Sequence, residues 1–252
     1  MKAKKNKSTK LLVSFRSIKE ISDQNFKYFD ICDLKDPNKG SIGAWGEKNI
    51  IEVVKRCKKK VKVSATIGDI FAVEKILKKL MQFDSFGLDY IKFGINTQNV
   101  LELKDLICRI GKLKCKTKLV LVIFVDKNSI IETVEENLGI FYKNNVRFLI
   151  LDTYEKGDEN LISYCRPSKI KDFIKKCSVR RINVGLAGRL QTNHITKLKL
   201  LDPYVIGFRS AICSDLNRQY ISEEKLTFLS NQFFSNKSRA IDKAGAWFEA
   251  SL

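Results

Sequence analysis

Histidine is almost missing from this chain of 252 residues: there is one, His194. A histidine-built metal centre is therefore out of reach, and no G-x-S-x-G turn is present to recruit His194 into a Ser-His-Asp triad. No stretch approaches the roughly 20 apolar residues that cross a bilayer. The opening MKAKKNKSTK has charge but no hydrophobic region behind it, so a secretory signal is not expected and a cytoplasmic location is. The seven cysteines include no C-x-x-C pair, and their odd number and irregular spacing suggest neither a disulfide framework nor a zinc site. Reduced, mostly buried thiols fit a cytoplasmic protein. No G-x-G-x-x-G turn follows the first apolar run, which argues against an open dinucleotide-binding sheet.

Acidic residues are also in short supply. Asp and Glu total 28 against 47 Lys and Arg, a formal net charge of +19. The 36 Lys greatly outnumber the 11 Arg, the bias of an AT-rich coding sequence. There is no RNA-binding aromatic motif, zinc-finger spacing or helix-turn-helix signal. Nucleic acid is therefore not the expected partner, and composition accounts for the charge. A basic protein nonetheless attracts phosphorylated substrates.

What the chain has in abundance is short, β-branched apolar runs. They fall at 11–16, 29–35, 61–67, 89–94, 119–125, 146–152, 181–187 and 204–209. Between them lie Lys- and Glu-rich segments with helical spacing, such as EKNIIEVVKRCKKK at 47–60 and AVEKILKKLMQF at 72–83. In the latter Val73, Ile76, Leu77, Leu80 and Met81 form an apolar stripe. Strands that alternate with helices make a parallel sheet, and strands buried on both faces read as continuous apolar runs. Eight such units predict an α/β fold, a single (β/α)8 TIM-type barrel over 11–235. A basic extension at 1–10 precedes it, and a tail at 236–252, docked or frayed, follows. A homo-oligomer is compatible with this pattern.

In such barrels chemistry sits at the C-terminal ends of the strands. Here those ends collect ionisable residues: Asp33 and Lys35, Asp69, Lys92, Asp126, Asp152 followed by Lys156, and Arg209. A strand-end lysine is commonly a cation whose stem snorkels to water. Lys92 is harder to explain that way, because Tyr90, Ile91 and Phe93 surround it and Gly94 follows. A lysine in apolar surroundings beside another ammonium has its pKa lowered, and the neutral amine is a nucleophile. This is the equipment of an aldolase-like Schiff-base enzyme. Barrels often bind phosphate with the loops after the seventh and eighth strands. Those loops read VGLAGR and GFRSA, so Gly188, Arg189, Gly207, Arg209 and Ser210 are the candidates for phosphate.

With these residues assembled, the chain resembles the (5-formylfuran-3-yl)methyl phosphate synthase family, which makes the furan precursor of methanofuran or methylofuran in one-carbon metabolism. The matching stretches are LLVS at 11–14, DLKDPNKGSIGA at 33–44, VSATIGD at 63–69, DYIKFG at 89–94, LDT at 151–153, LAG at 186–188, HI at 194–195 and GFRSAIC at 207–213. The resemblance implies a TIM-type barrel and a lyase that condenses two molecules of glyceraldehyde 3-phosphate with loss of phosphate and water. It implies Lys35 as the imine-forming lysine and Lys92 as the proton acceptor. Asp33, Asp152 and Lys156 take supporting roles, and neither a metal nor an organic cofactor is needed. The alternatives are another class I aldolase acting on a triose phosphate, or a basic barrel that binds nucleic acid without catalysis.

Overall fold

A computed structural model of the chain describes residues 8–95, 97, 99–127, 130–155, 157–215 and 218–235. Most of the expected N-terminal extension, the tail from 236 and Lys156 lie outside the described residues. Eight strands run β1 (Lys10–Phe15), β2 (Ile31–Leu34), β3 (Lys62–Thr66), β4 (Tyr90–Gly94), β5 (Lys118–Phe124), β6 (Phe148–Asp152), β7 (Asn183–Leu186) and β8 (Val205–Phe208). All neighbours pair in parallel, and β8 pairs with β1 to close the barrel in chain order. The helices are α1 (Glu47–Cys57), α2 (Val73–Asp84), α3 (Val100–Lys112), α4 (Ile130–Glu136), α5 (Leu138–Lys143), α6 (Leu161–Tyr164), α7 (Pro167–Val179), α8 (Ile195–Lys199) and α9 (Glu223–Ser235). The expected (β/α)8 barrel is the fold of this chain.

Alternation along each strand decides which side chains meet the helices and which fill the barrel. Leu11, Val13, Phe15, Cys32, Leu34, Ile91 and Phe93 face outward into one core shared with the helices. Leu12, Ile31, Tyr90, Val120, Ile150 and Val205 face inward and form a separate apolar plug. The next inward positions toward the C-terminal mouth are polar on β1, β2, β4 and β6 (Ser14, Asp33, Lys92 and Asp152), while Val122 on β5 stays apolar. Register places Ser14 beside Asp33 and Asp33 beside Ser64, with Lys92 beside Thr66 and Asp152 beside Phe124. The second strand therefore ends on a carboxylate because that position lies one layer above the plug, inside the barrel.

Two local expectations change. Met81 does not belong to the buried stripe of α2: it is 61% exposed, while Ile76, Leu77, Leu80 and Phe83 are buried. Val73 and Met81 lie at the edges of a stripe whose centre is set by packing on β4. The first crossover is built of two 3₁₀ segments, Ile18–Glu20 and Asp23–Tyr28, rather than an α-helix. Its apolar anchors Ile21, Phe26 and Phe29 lack the regular three-and-four spacing of a helix stripe.

Candidate active site

Two ion pairs, one buried and one half-open, occupy the C-terminal mouth. Asp33 on β2 is fully buried, and its carboxylate accepts hydrogen bonds from Ser14 Oγ at 2.8 Å and Ser64 Oγ at 2.5 Å. Lys92 Nζ on β4 lies 2.6 Å from the same carboxylate. Lys35, just past the end of β2, places its Nζ 3.1 Å from Asp152 Oδ2 at the end of β6. Asp152 Oδ1 accepts the Thr153 backbone N–H at 2.8 Å. Asp33 and Lys35 share the interior face, as alternation requires, yet each pairs with a residue from a different strand.

The two lysines differ in environment. Lys92 is 6% exposed, and burial pushes its ammonium below the ordinary lysine range. The Asp33 carboxylate opposes that shift, and the Lys35 charge reinforces it. Lys35 is more open, with its side chain 21% exposed to the pocket.

Two further carboxylates at the strand ends act on the backbone instead. Asp69 accepts the N–H groups of Ser41 and Ile42, each at 2.8 Å, and so ties down the loop that follows Lys35. This tie is close enough that a Cβ on Gly40, whose φ is +114°, would stand 1.9 Å from Asp69 Oδ2. Asp126 accepts from the Tyr154 N–H at 2.8 Å and the Glu155 N–H at 2.6 Å, holding the loop after β6. Sequence position alone does not separate these anchors from the carboxylates that meet lysines.

The pocket above the ion pairs is lined by Lys35, Lys92, Asp152, Gly188, Arg189, Gly207, Arg209 and Ser210. All the described site candidates except Asp33, which lies beneath Lys92, reach it. Gly188 has φ +97°, and a Cβ there would press on Thr153 at 3.0 Å. Ser210 Oγ is buried without a hydrogen-bond partner among the described residues. Arg189 lies 3.4 Å from Asp158.

Arg209 is already engaged. Its guanidinium grips Glu20 through two bonds of 2.6 and 2.9 Å and donates to the backbone carbonyls of Ser14 and Arg218. Arg218, which belongs to none of the strand-end or glycine-turn signals, also enters the pocket. Burial and the neighbouring Arg189 press its pKa below the usual arginine value, and no carboxylate pairs with its side chain among the described residues. In the sequence Arg218 stands nine residues after Arg209, in a loop with no glycine signature to mark it. His194 accepts the Gln191 N–H at 3.1 Å and serves the turn before α8. Among the described residues no group of three or more His, Cys, Asp or Glu side chains is arranged to hold a metal ion. No helix among them is long and apolar enough to cross a membrane.

The family model described as 4-HFC-P synthase matches residues 11–229. The (5-formylfuran-3-yl)methyl phosphate synthase of Archaeoglobus fulgidus is 29% identical over 225 residues, covering 85% of this chain and 95% of that one. The enzyme of the same name from Methanococcus aeolicus is 28% identical over 233 residues, covering 85% and 95%. Among solved structures, 3-hexulose-6-phosphate synthase from Salmonella typhimurium superposes with a TM-score of 0.57 at 16% identity, covering 89% of this chain and 100% of that one. Phosphoribosyl anthranilate isomerase from Thermus thermophilus gives 0.56 at 11% identity, covering 90% and 99%. These two share the barrel.

Proposed function

The chain belongs to the 4-HFC-P synthase family, and from that premise we propose that it condenses two molecules of glyceraldehyde 3-phosphate through an imine on Lys35, giving (5-formylfuran-3-yl)methyl phosphate with loss of phosphate and water. The observation that carries this reading is the crossed pairing of two lysines and two carboxylates at one mouth: Lys92 with Asp33 at 2.6 Å and Lys35 with Asp152 at 3.1 Å. Lys35 is the nucleophile because it is the lysine open to the pocket. Asp152 takes a proton from its ammonium, and the free amine adds to the aldehyde carbon. The Lys92 ammonium, already lowered by burial, gives its proton to the departing hydroxyl. The iminium that forms is a second fixed positive charge nearby and holds Lys92 neutral. Lys92 then removes the proton on the adjacent carbon, and the resulting enamine attacks the second aldehyde. Asp33, fixed by two serine hydroxyls, keeps Lys92 aimed through both transfers. Phosphate elimination, ring closure and dehydration follow, drawn forward by the aromatic furan.

The substrate phosphate meets Arg189 and Arg218, the backbone at Gly188 and Gly207, and Ser210 Oγ, whose lack of a partner fits an anion acceptor. Arg209 acts one step back, by holding the carbonyl of Arg218. Lys156, four positions after Asp152 in the sequence, joins the proton traffic in this reading.

Pure protein incubated with glyceraldehyde 3-phosphate should yield the furan phosphate by mass spectrometry. Borohydride added during turnover should leave a reduced adduct on Lys35 and none in Lys35→Ala. A furan product with the adduct on another lysine would overturn the role of Lys35. An aldol product without furan would replace the reaction with that of another class I aldolase.

A further inference from the structure

The fold gathers several basic turns of this chain at one end. At the C-terminal mouth Asp33, Asp69, Asp126 and Asp152 balance the cations. The opposite end is built from the turns that lead into the strands. Those before β3, β5 and β7 read KKKVK at 58–62, KLKCKTK at 112–118 and SVRR at 178–181, while those before β2, β4 and β8 carry Asp30, Asp89 and Asp202. β1 also starts there, and the sequence before it carries Lys2, Lys4, Lys5 and Lys7.

Helix C-termini favour cations through the macrodipole, which explains a lysine in a last turn such as Lys112. It does not explain Lys116, Lys118 or Arg147, which lie beyond the helices at or before the strand starts. Three more cations occupy backbone positions that favour glycine. Lys59, Lys114 and Arg181 have φ of 65°, 51° and 56°, each two residues past a helix end. Charge is kept at these turns against the local conformational preference.

Five of these cations converge. Lys114, Lys116, Lys118, Arg147 and Arg181 line an open cleft of about 420 Å3 between the starts of β5, β6 and β7, and no Asp or Glu lines it. None of the five makes an ion pair among the described residues. Arg147 Nε is buried without a hydrogen-bond partner. Its guanidinium is held flat against the Tyr142 ring, 3.6 Å from the centroid. Asn144, Asn145 and Asn183 complete the walls, adding amide donors and acceptors. A second cleft on the same end is lined by Lys10, Lys55, Lys58, Lys59, Lys60 and Lys62 together with Asp30 and Asp89, so its lysines still outnumber its carboxylates.

We propose that this end of the barrel binds the phosphate backbone of a nucleic acid, with the cleft around Arg147 as its centre. Cations spread over neighbouring clefts suit a long polyanion better than one small phosphate. A recessed guanidinium among asparagines suits a strand that enters a cleft better than a flat lipid surface. Contacts of this kind read the backbone, so binding is independent of sequence. The site lies at the opposite end from Lys35 and does not depend on the reaction proposed there.

The test uses the full chain and fluorescein-labelled 20-nucleotide RNA, single-stranded DNA and duplex DNA, followed by anisotropy in 50–300 mM KCl. Affinity should fall with salt by a log–log slope of about −0.7 per phosphate engaged on a single strand and about −0.9 on a duplex. The double variant Lys114→Gly, Arg181→Gly should bind at least tenfold more weakly, while its melting temperature holds or rises because glycine suits both turns. Lys75→Gln with Lys78→Gln on the exposed face of α2 removes the same charge and should change affinity less than twofold. Cleft-dependent binding of either RNA or DNA supports the proposal, and the tighter of the two names the class. Equal losses in the two double variants would reduce the effect to net charge and overturn it. So would cleft-dependent binding to phosphatidylserine vesicles without binding to any oligonucleotide.

Discussion

Arg209 and Arg218 are both arginines of one loop, and the geometry divides their work. The guanidinium of Arg209 and the carboxylate of Glu20 are 9% and 10% exposed. Arg209→Ala strands a buried charge and should destabilise the protein by about 3–5 kcal/mol, read as a lower denaturant midpoint. Arg218→Ala should leave stability within about 1 kcal/mol and lower kcat/KM for the phosphorylated substrate by about 1.5–3 kcal/mol. An Arg209 variant that loses substrate use at unchanged stability would reverse the assignment. Lys92 makes a second prediction, through pH. Its folded pKa is depressed, so between that value and the ordinary lysine pKa the unfolded chain binds more protons than the folded one. Its contribution to stability therefore rises with pH across that interval. Unfolding free energies measured as pH rises toward the ordinary lysine value of 10.5 should increase more steeply in the wild type than in Lys92→Met.

At the scale of elements, the loop from Asp36 to Ala44 decides whether Lys35 faces the pocket in one orientation. Its internal bonds include Asp36 N–H to the Gly43 carbonyl at 2.9 Å, Asn38 N–H to Asp36 Oδ1 at 3.1 Å and Lys39 N–H to the Asp36 carbonyl at 3.1 Å. Its external anchors are the two N–H groups on Asp69 and the Ser41 hydroxyl on the Tyr154 carbonyl. Gly40 adopts φ 114° and ψ −175°, a region open only to glycine. Gly40→Ala should cost about 1–3 kcal/mol in backbone strain, with more from the collision with Asp69. The eight strands should survive, so circular dichroism should keep its α/β form while borohydride trapping at Lys35 falls. Trapping at the wild-type rate would show that the loop is not what positions Lys35.

Over the whole molecule, burial controls the cysteines. Cys32, Cys57, Cys165, Cys177 and Cys213 are buried, Cys115 is half-buried and Cys108 is exposed. Burial pushes the Cys165 thiol up to about 11 and Cys177 up to about 12, so neither supplies thiolate at neutral pH. An aromatic disulfide reagent should titrate Cys108 quickly in the native protein, Cys115 more slowly, and the remaining five only after denaturation. Fast reaction of more than two thiols would mean that the barrel opens far more readily than its packing implies.

The order of the strands is legible in the sequence by itself, because strands buried on both faces must be continuously apolar and each is bounded by charged turns. So is the set of ionisable residues at their ends, which follows from where such runs stop. Which of them touch is not legible there. Lys35 and Asp152 are 117 residues apart, and only closure of the barrel brings β2 and β6 to face one another across its mouth. Alternation shows that Asp33 and Lys35 share a face, but only the side-chain geometry inside the closed barrel shows that Asp33 answers Lys92. The roles of Asp69 and Asp126 as loop anchors, and of Arg209 as the partner of Glu20, depend on loop paths that no periodicity encodes. The same holds for charge. Composition sets the total of +19, while parallel closure sends every strand start to one end of the molecule and so brings together the cations that precede β3, β5 and β7.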